Sequence, residues 1–452
     1  MAAKWSVVLV VAWLVAVAAH GGERPRFVVI MADDLGFGDV GCYGSKRIRT
    51  PRLDQLAAGG IRMTDFHSSG AVCSPTRAGL VTGRYQQRAG IPAVILADPK
   101  RPTHPHGLQE RETTFAELLG QNGYATALFG KWHLGYYPKY NPVRHGFDQF
   151  RGYISGNVDF FSHVDQAGRL DWWRDDQIED EPGYTTHLIT RHAVRFIEAN
   201  SQGPFCLYVA YEPPHYPYQG PHDAPIRNVG VPRGPAELNQ TLESKRRAYR
   251  EMVEEMDRGI GELIDTLVRC EIDQQTLVLF FSDNGATALG SNGPWRGRKG
   301  QLWEGGHRIP CIASWPGRIP GGRTSSELGT TLDVMPTLLA AAGVEPPALR
   351  PLDGRDLMEV FTRSATLGKR RVFWGHGRAR AVREMHWKLL RGARGQRRPQ
   401  LFDLSEDPGE RDDRATAEPA RVAEMLLALG EWEQETKREA TPQPRRVPER
   451  RP

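Results

Sequence analysis

The chain contains 452 residues, of which 39% are hydrophobic and 25% are charged. These fractions exclude a disordered or fibrous protein, and the length suffices for one large domain or two to three smaller ones. The 59 Lys and Arg residues only slightly exceed the 54 Asp and Glu residues, so the overall charge gives no reason to expect a nucleic-acid partner.

The first residues are typical of an export signal. Lys4 precedes an apolar run (5–17), and the small residues Ala18 and Ala19 follow it. The run is short for a membrane-spanning helix, so we predict a signal peptide (1–19) and an exported, periplasmic or secreted protein. An uncleaved anchor is the alternative. No later stretch is apolar enough to span a membrane, so no integral membrane segment is expected in the mature chain.

Five cysteines are spread along the chain, at Cys42, Cys73, Cys206, Cys270 and Cys311. An odd number leaves at least one outside any disulfide, and no CxxC or Cys/His spacing suggests a zinc site. Cys206 and Cys311 lie inside apolar runs, which indicates small buried side chains. So few cysteines in an exported chain favour a bacterial host.

Four short apolar runs predict buried strands, and each is followed by polar residues. In chain order the runs are 26–32, 124–130, 205–211 and 276–282. Helical patterns at 113–123 and 242–270 alternate with them. This alternation predicts an α/β fold in which helices cover both faces of the sheet.

Short oxygen-bearing side chains follow the first and fourth runs: Asp33, Asp34, Asp283 and Asn284. Taken singly, each of them could equally form a turn or cap a helix. Adjacent buried carboxylates repel unless a cation lies between them, and oxygen ligands suit calcium or magnesium rather than zinc. Together the four residues predict a site for a hard divalent cation.

Basic side chains lie near the same predicted strand ends: Lys131, His133, His215 and Lys299. A single histidine in a loop is more often a surface or satisfied core residue than a catalyst. Ligands of such sheets bind beyond the carboxyl ends of the strands, where all these residues are expected to converge. Two lysines and two histidines beside a cation predict a pocket for a tetrahedral oxyanion, with histidines placed to transfer protons.

The segment CSPTRAGLVTGR (73–84) places Cys73 at the start of a predicted helix. The free N–H groups and the positive dipole end of that helix favour an anion. Arg77 follows four residues later. If Cys73 remains a thiol, these neighbours are expected to lower its pKa.

A basic stretch lies near the C-terminus. From Arg363 to Arg398 there are twelve Lys and Arg residues and one acidic residue, Glu384. The stretch is either a landing surface for a polyanion or the solvated face of a small domain.

The segment at 73–84 resembles the signature of the type I sulfatases, which belong with the alkaline phosphatases. That signature is Cys-x-Pro-x-Arg followed by a Gly-containing helix, and Cys73, Pro75, Arg77 and the Thr-Gly-Arg at 82–84 match it. The resemblance implies that a formylglycine-generating or other sulfatase-maturing enzyme oxidises Cys73 to Cα-formylglycine. The modified residue would then be the nucleophile.

The resemblance covers roughly residues 25–412 and implies a fold. We expect a catalytic α/β domain (24–345) with a large central mixed, mostly parallel sheet flanked by helices. A smaller C-terminal subdomain with an antiparallel sheet (346–440) and a disordered basic tail (441–452) are expected to follow.

The resemblance also implies roles for the site residues. One calcium ion is expected, with Asp33, Asp34, Cys73 in its modified form, Asp283 and Asn284 as ligands. By the same resemblance, Lys131 and Lys299 would bind the sulfate, and His215 would protonate the leaving oxygen. His133 would remove a proton from the formylglycine hydrate, and Arg77 would orient that hydrate.

Two loops bear on the substrate. GYISGNVDFFSH (152–163) and PWRGRKGQLWEGG (294–306) resemble the loops of the arylsulfatase B group, which are N-acetylgalactosamine-4-sulfatases. This implies a sulfated carbohydrate, with N-acetylgalactosamine 4-sulfate as first candidate and aryl sulfates or 6-sulfated and other sulfated glycans as alternatives. Trp172 and Trp173 either stack on a sugar ring or close the core.

Two other classes of function stay open. A phosphodiesterase or phosphonate hydrolase of the same superfamily would share the metal and the histidines, but the complete signature and the two lysines favour sulfate. A sulfated-glycan-binding protein without turnover is the non-enzymatic alternative, and no expected catalytic position is missing from the sequence.

Overall fold

The computed structural model describes residues 24–232, 237, 239–393, 396 and 398–444. The predicted signal peptide (1–19) lies outside the described residues, as does most of the predicted tail (441–452). The described start of that tail contacts the rest of the chain: the backbone N–H of Thr441 donates to the carbonyl of Arg88 (2.7 Å). The Gln443 side chain donates to the carbonyl of Gly107 (3.0 Å), so the chain is held as far as Gln443.

A ten-stranded sheet lies at the centre of the structure. Its strands are β1 (Arg26–Ala32), β2 (Ile61–Met63), β4 (Ala125–Lys131), β5 (Gln149–Tyr153), β6 (Trp173–Arg174), β7 (Gln177–Ile178), β8 (Phe205–Ala210), β9 (Thr276–Ser282), β10 (Cys311–Ser314) and β11 (Arg323–Ser325). Two further strands, β3 (Phe66–His67) and β12 (Gly329–Thr330), form a separate parallel pair. The order is β11-β2-β10-β9-β1-β8-β4-β5-β6-β7. Strands β9, β1, β8, β4 and β5 are mutually parallel, and β10, β6 and β7 join antiparallel, so the predicted mixed, mostly parallel sheet is confirmed.

The central strands are apolar along their length because both faces of the sheet are covered. In β1, Phe27 and Val29 face one core, whereas Val28 and Ile30 face the other. A strand buried on both sides gives a continuous apolar run rather than an alternating one. The predicted runs therefore match β1 and β9 at both ends and match β4 and β8 to within one residue.

Helices cover both faces of this sheet. The helices described in the chain are α1 (Pro51–Ala58), α2 (Cys73–Thr82), α3 (Phe115–Gln121), α4 (Thr185–Asn200), α5 (Leu242–Arg269), α6 (Glu304–His307), α7 (Val334–Ala342), α8 (Met358–Arg363) and α9 (Pro419–Arg438), and all but α6 and α9 contribute to the cores of this sheet. One core contains side chains of α1, α4 and α5, and the other contains side chains of α2, α3, α7 and α8. Among the described residues, no helix combines the length and the apolar character needed to cross a membrane.

A smaller antiparallel sheet forms the C-terminal part of the described chain. Its strands are β13 (Arg371–His376), β14 (Ala379–Glu384), β15 (Trp387–Arg391) and β16 (Gln400–Asp403). Helix α9 packs on one face of it through Met425, Leu429 and Trp432. This confirms the predicted antiparallel sheet after the large domain.

Seven cations of the basic stretch at 363–398 are paired with acidic side chains of the described chain. Ion pairs with acidic side chains are made by Arg363, Arg370, Arg371, Arg380, Arg383, Lys388 and Arg391. Three of the pairs are buried, and they join the small sheet to the large domain through Asp333, Asp65 and Glu304. The buried pairs therefore assign these three cations of the stretch a structural role.

Replacing Arg383 by methionine should lower the free energy of unfolding by about 3–5 kcal/mol. Its guanidinium contacts the carboxylates of Asp65 (2.6 Å) and Glu304 (3.0 Å), and the substitution leaves both acids buried with one cation fewer. Denaturant unfolding followed by circular dichroism measures the change. Arg380→Met is the matched control on the same strand, because its partner Glu433 is partly exposed and the loss should stay below about 1 kcal/mol. Equal losses would contradict a special role for the buried pair.

The structure also shows where the cysteines and the two adjacent tryptophans lie. All five cysteines are free, and Cys206 and Cys311 are buried as predicted. Trp172 is fully buried and its indole N–H donates to Glu181 (3.0 Å), so it closes the core and does not stack on a sugar. Trp173 is half-buried and packs against the same large domain.

Candidate active site

The candidate site is assembled where four neighbouring parallel strands end. Asp33 and Asp34 follow β1, and Asp283 and Asn284 follow β9 beside it. On the other side of β1, β8 leads to His215, and β4 ends at Lys131 two residues before His133. Because adjacent parallel strands end at the same edge of a sheet, the convergence expected from the sequence is observed.

The acidic residues form one buried cluster. The backbone N–H of Asp34 donates to Asp283 Oδ1 (3.1 Å), and the amide of Asn284 donates to Asp34 Oδ1 (2.8 Å). Ligand atoms of Asp33, Asp34, Cys73 and His215 lie within 4.8 Å of one another. His215, which was not predicted as a metal ligand, belongs to this group of possible donors.

The donor set of this cluster fits a hard cation. Asp34 Oδ2 and Asn284 Oδ1 are buried and lack a hydrogen-bond partner within the described chain. Burial, and secondly the neighbouring Asp33, raise the pKa of Asp283 to about 6. A calcium-type ion would give the unpaired buried oxygens a ligand partner. It would also offset the repulsion between the neighbouring carboxylates. The cluster could therefore hold a divalent metal.

The two lysines lie on the acidic cluster. Lys131 Nζ pairs with Asp33, and Lys299 Nζ lies 2.6 Å from Asp34 Oδ1 and 3.3 Å from Cys73 Sγ. Burial alone would lower the pKa of each lysine, but the attraction of Asp33 for Lys131 and of Asp34 for Lys299 raises it. Both side chains therefore stay positively charged in a buried place where an oxyanion would be strongly attracted.

Arg77 acts on the acidic cluster rather than on the thiol. Its guanidinium donates to Asp283 Oδ2 (3.0 Å) and to the backbone carbonyl of Lys131 (3.1 Å). Arg77 lies one turn after Cys73 on α2, so the two side chains share a face of the helix. The contacts fix the orientation of Asp283 near Cys73.

The expected lowering of the Cys73 pKa is wrong. Cys73 is the first residue of α2 and is buried, and burial raises the pKa of its thiol to about 11 against the opposing effect of Lys131 and Lys299. Desolvation of the thiolate is the largest effect, and the nearby charges of Asp33 and Asp283 add to it because they repel a thiolate. An unmodified thiol at this position would be a poor nucleophile.

The two histidines have defined hydrogen-bond partners. His133 Nε2 lies 2.8 Å from the carbonyl of Ile95, and His215 Nδ1 lies 2.7 Å from the carbonyl of Tyr216. A carbonyl only accepts, so these nitrogens carry the protons, and His133 Nδ1 is left without a partner in the described residues. Burial, together with Lys131 for His133 and Lys299 for His215, holds the pKa of each imidazole well below its usual value.

Two residues of the site have strained backbone conformations. Asp34 has φ of 68° and His133 has φ of 57°, both in the left-handed region that non-glycine residues seldom adopt. Such conformations persist where the surrounding structure forces them, and they are concentrated at functional sites.

A cavity of about 280 Å³ opens onto this cluster. Five predicted site residues line it: Asp34, Cys73, His133, His215 and Lys299. Sequence reasoning missed further polar residues of its wall, which are Tyr136, Ser155, Asn157, Gln166, Tyr216 and Thr287. They come from loops with no motif of their own, although Asn157 lies in the loop (152–163) that resembled arylsulfatase B.

The fold and the site define a hydrolase of the alkaline phosphatase-like class. Comparison with known protein families identifies the family: the profile described as Sulfatase matches residues 25–344. A second profile, described as N-sulphoglucosamine sulphohydrolase, C-terminal, matches residues 297–429. The chain belongs to the Sulfatase family.

Individual relatives agree with this assignment. N-acetylgalactosamine-6-sulfatase of Canis lupus familiaris is 33% identical over 83% of this chain and 73% of its own length. Steryl-sulfatase of Mus musculus is 32% identical over 92% of this chain and 83% of its own length. The solved structure of Ps i-CgsB has a TM-score of 0.81 and 29% identity, covering 92% of this chain and 94% of that one. The protein is therefore a sulfuric ester hydrolase that resembles enzymes of sulfated sugars.

Proposed function

We propose that this protein hydrolyses the sulfate ester of a sulfated carbohydrate, with N-acetylgalactosamine 4-sulfate as the first candidate. The observation that carries the proposal is the position of Lys299 Nζ in the cavity wall, 3.3 Å from Cys73 Sγ and 2.6 Å from Asp34. A tetrahedral anion entering this cavity would meet a fixed ammonium group beside the position from which the nucleophile attacks.

The formylglycine modification fits the position of Cys73. The residue is buried at the start of α2, its thiol has a raised pKa, and its sulfur lies 3.8 Å from Asp33 Oδ1 at the cation cluster. Oxidised to formylglycine, this side chain would supply a nucleophilic hydroxyl and return to the aldehyde when sulfate leaves. A sulfatase-maturing enzyme is therefore an expected partner during export.

Calcium fits the acidic cluster because the cluster contains neighbouring buried carboxylates and buried oxygens without hydrogen-bond partners in the described chain. The proposed ligands are Asp33, Asp34, Asp283, Asn284 and the modified Cys73. Bound there, calcium would offset the carboxylate charge and act as a Lewis acid toward a sulfate oxygen.

The other side chains would bind the sulfate, position the ligands and transfer protons. Lys131 and Lys299 would bind the sulfate oxygens, and Arg77 would hold Asp283 in place. His133 has a lone pair at Nδ1, because its Nε2–H is used by Ile95, and it could accept a proton there. His215 presents Nε2 to the cavity, 3.7 Å from Asp34 Oδ2, and could pass a proton to the leaving oxygen.

Adding calcium to the metal-free protein should raise its thermal midpoint. A ligand at a hundredfold excess over its Kd stabilises the folded state by about 2.7 kcal/mol. Differential scanning fluorimetry in calcium, in magnesium at the same concentration and in chelator measures the effect. Asp34→Asn should remove most of the calcium-specific rise. A rise of equal size in that variant would place calcium elsewhere on the protein.

Similarity to N-acetylgalactosamine-6-sulfatases favours a second substrate, the 6-sulfate. N-acetylgalactosamine-6-sulfatases of Canis lupus familiaris, Mus musculus, Rattus norvegicus and Sus scrofa are each 33% identical to this chain. The loops that resembled arylsulfatase B favour the 4-sulfate, whereas these relatives favour the 6-sulfate. Both esters belong to the same class of sulfated sugar, so the position of the sulfate group decides between them.

A sulfate-release assay on matched N-acetylgalactosamine 4-sulfate and 6-sulfate tests the proposal. The protein should be co-expressed with a formylglycine-generating enzyme, and mass spectrometry should verify the aldehyde at position 73. Release from the 4-sulfate alone supports the first candidate, and release from the 6-sulfate alone supports the second. Release of 4-nitrophenol from bis(4-nitrophenyl) phosphate without sulfate release from any ester would instead support a phosphodiesterase-type activity.

A further inference from the structure

A second cavity, of about 1210 Å³, lies beside the active site and takes no part in the chemistry described above. The loop at 44–48 and the first turns of α5 (241–250) form most of its wall. Its charged lining is strongly basic, with the cations Lys46, Arg47, Arg246, Arg247 and Arg250 and the acids Asp39 and Glu243. We call this cavity the basic groove.

Four of the cations in the basic groove have no carboxylate at ion-pair distance, although the charge of Arg47 opposes the burial-induced rise in the pKa of Asp39. Lys46, Arg47, Arg246 and Arg250 are exposed, and none of them forms an ion pair with another residue of the described chain. Arg247 differs from them, because its guanidinium already pairs with Asp223 and Glu251.

The acids of the groove offset little of this charge. The carboxylate of Asp39 is buried and accepts the N–H groups of Gly36 and Ser291 and the hydroxyl of Tyr249. Only Glu243 among them is exposed. Concentrated cations without partners repel one another and attract a polyanion.

The wall of the basic groove adjoins the wall of the active-site cavity along the segment 287–291. Thr287 lines the active-site cavity, and its hydroxyl lies 3.4 Å from the hydroxyl of Tyr218. The ring of Tyr218 lies 6.3 Å from the ring of Tyr249, which lines the groove. Leu289 and Ser291 continue the same segment into the groove wall. A chain molecule bound at the active site could therefore pass along this wall.

We infer that the basic groove binds the sulfated sugar units that flank the unit being hydrolysed, so that the enzyme works on a sulfated polysaccharide. The inference rests on the proposed function for the identity of the polymer. Spaced cations match the spaced anionic groups of such a chain, and the free N–H groups at the start of α5, after its cap Thr241, add further attraction for sulfate.

Binding can be measured without turnover. In a Cys73→Ala background, the affinity for dextran sulfate at low ionic strength is compared with that for uncharged dextran. Arg246→Glu/Arg250→Glu should weaken dextran sulfate binding about tenfold or more. Arg111→Glu/Arg195→Glu is the matched control, because it makes the same charge change at exposed arginines outside the groove, and it should change the affinity less than about twofold.

Turnover gives the second readout. In the active enzyme, Arg246→Glu/Arg250→Glu should lower kcat/KM about tenfold on a sulfated oligosaccharide and leave the monosaccharide sulfate within about twofold. Equal weakening of dextran sulfate binding in both double variants would overturn the inference, because general positive charge would then explain the attraction. Absence of sulfate release from every ester would overturn the proposed function, while the binding comparison would still decide the role of the groove.

Discussion

Replacing Cys73 by alanine should lower kcat/KM for every sulfate ester by at least about 10⁴-fold, because the variant has no side chain from which the nucleophile can be formed. The lysines and histidines around the cavity would remain and would still bind sulfate. The KM should therefore change much less than kcat. Initial rates of sulfate release measure both quantities.

The serine variant separates the proposed mechanism from an ordinary hydroxyl nucleophile. Cys73→Ser keeps an attacking oxygen but cannot return to an aldehyde, so it should react once and stop as a sulfate ester. Intact-protein mass spectrometry should then show a gain of one SO₃ group on the peptide that contains position 73. Multiple turnover by Cys73→Ser at the rate of the parent enzyme would contradict the formylglycine mechanism.

Cys206→Ala is the matched control for both variants. Cys206 is also buried and free, but it lies within β8 and faces the core rather than the cavity. Its replacement should leave kcat/KM within about twofold, with only a modest loss of stability. A large loss of activity in this control would show that removal of any buried cysteine disturbs the active site.

The sequence predicted the large domain well because its central strands are simple. Strands β1 and β9 are buried on both faces, so they read as uninterrupted apolar runs with clear ends. The short strands β2, β10 and β11 have three or four residues each, too few to carry a period, and sequence reasoning missed them. They are defined by pairing with distant partners rather than by local sequence.

The residues of the candidate site likewise fall into those that the sequence could place and those that it could not. Residues that immediately follow a strand, such as Asp33 and Asp283, could be placed together because topology fixes where strands end. Wall residues such as Gln166 and Thr287 depend on how long loops fold back, which a single sequence does not encode locally. The pKa of Cys73 was missed for another reason: it depends on the depth of burial, whereas the sequence shows only the nearby charges.

Replacing His215 by alanine should reveal its role through the leaving group. If His215 passes a proton to the departing oxygen, kcat/KM on a sugar sulfate should fall about 10²–10⁴-fold. Loss on 4-nitrophenyl sulfate should be much smaller, because nitrophenolate is stable without a proton whereas a sugar alkoxide is not. His222→Ala, at an exposed histidine of the same loop, should leave both rates within about twofold.

The competing role for His215 is that of a ligand, because its ring nitrogen groups with Asp33, Asp34 and Cys73 as a possible metal donor. A ligand would matter equally for every ester, so both substrates would then lose activity by the same factor in His215→Ala. The low pKa of the free imidazole does not exclude the proton-donor role, since a bound sulfate ester would bring negative charge beside the ring and favour its protonated form. Losses of the same size on both esters, accompanied by weaker calcium stabilisation, would assign His215 to the metal instead of the leaving group.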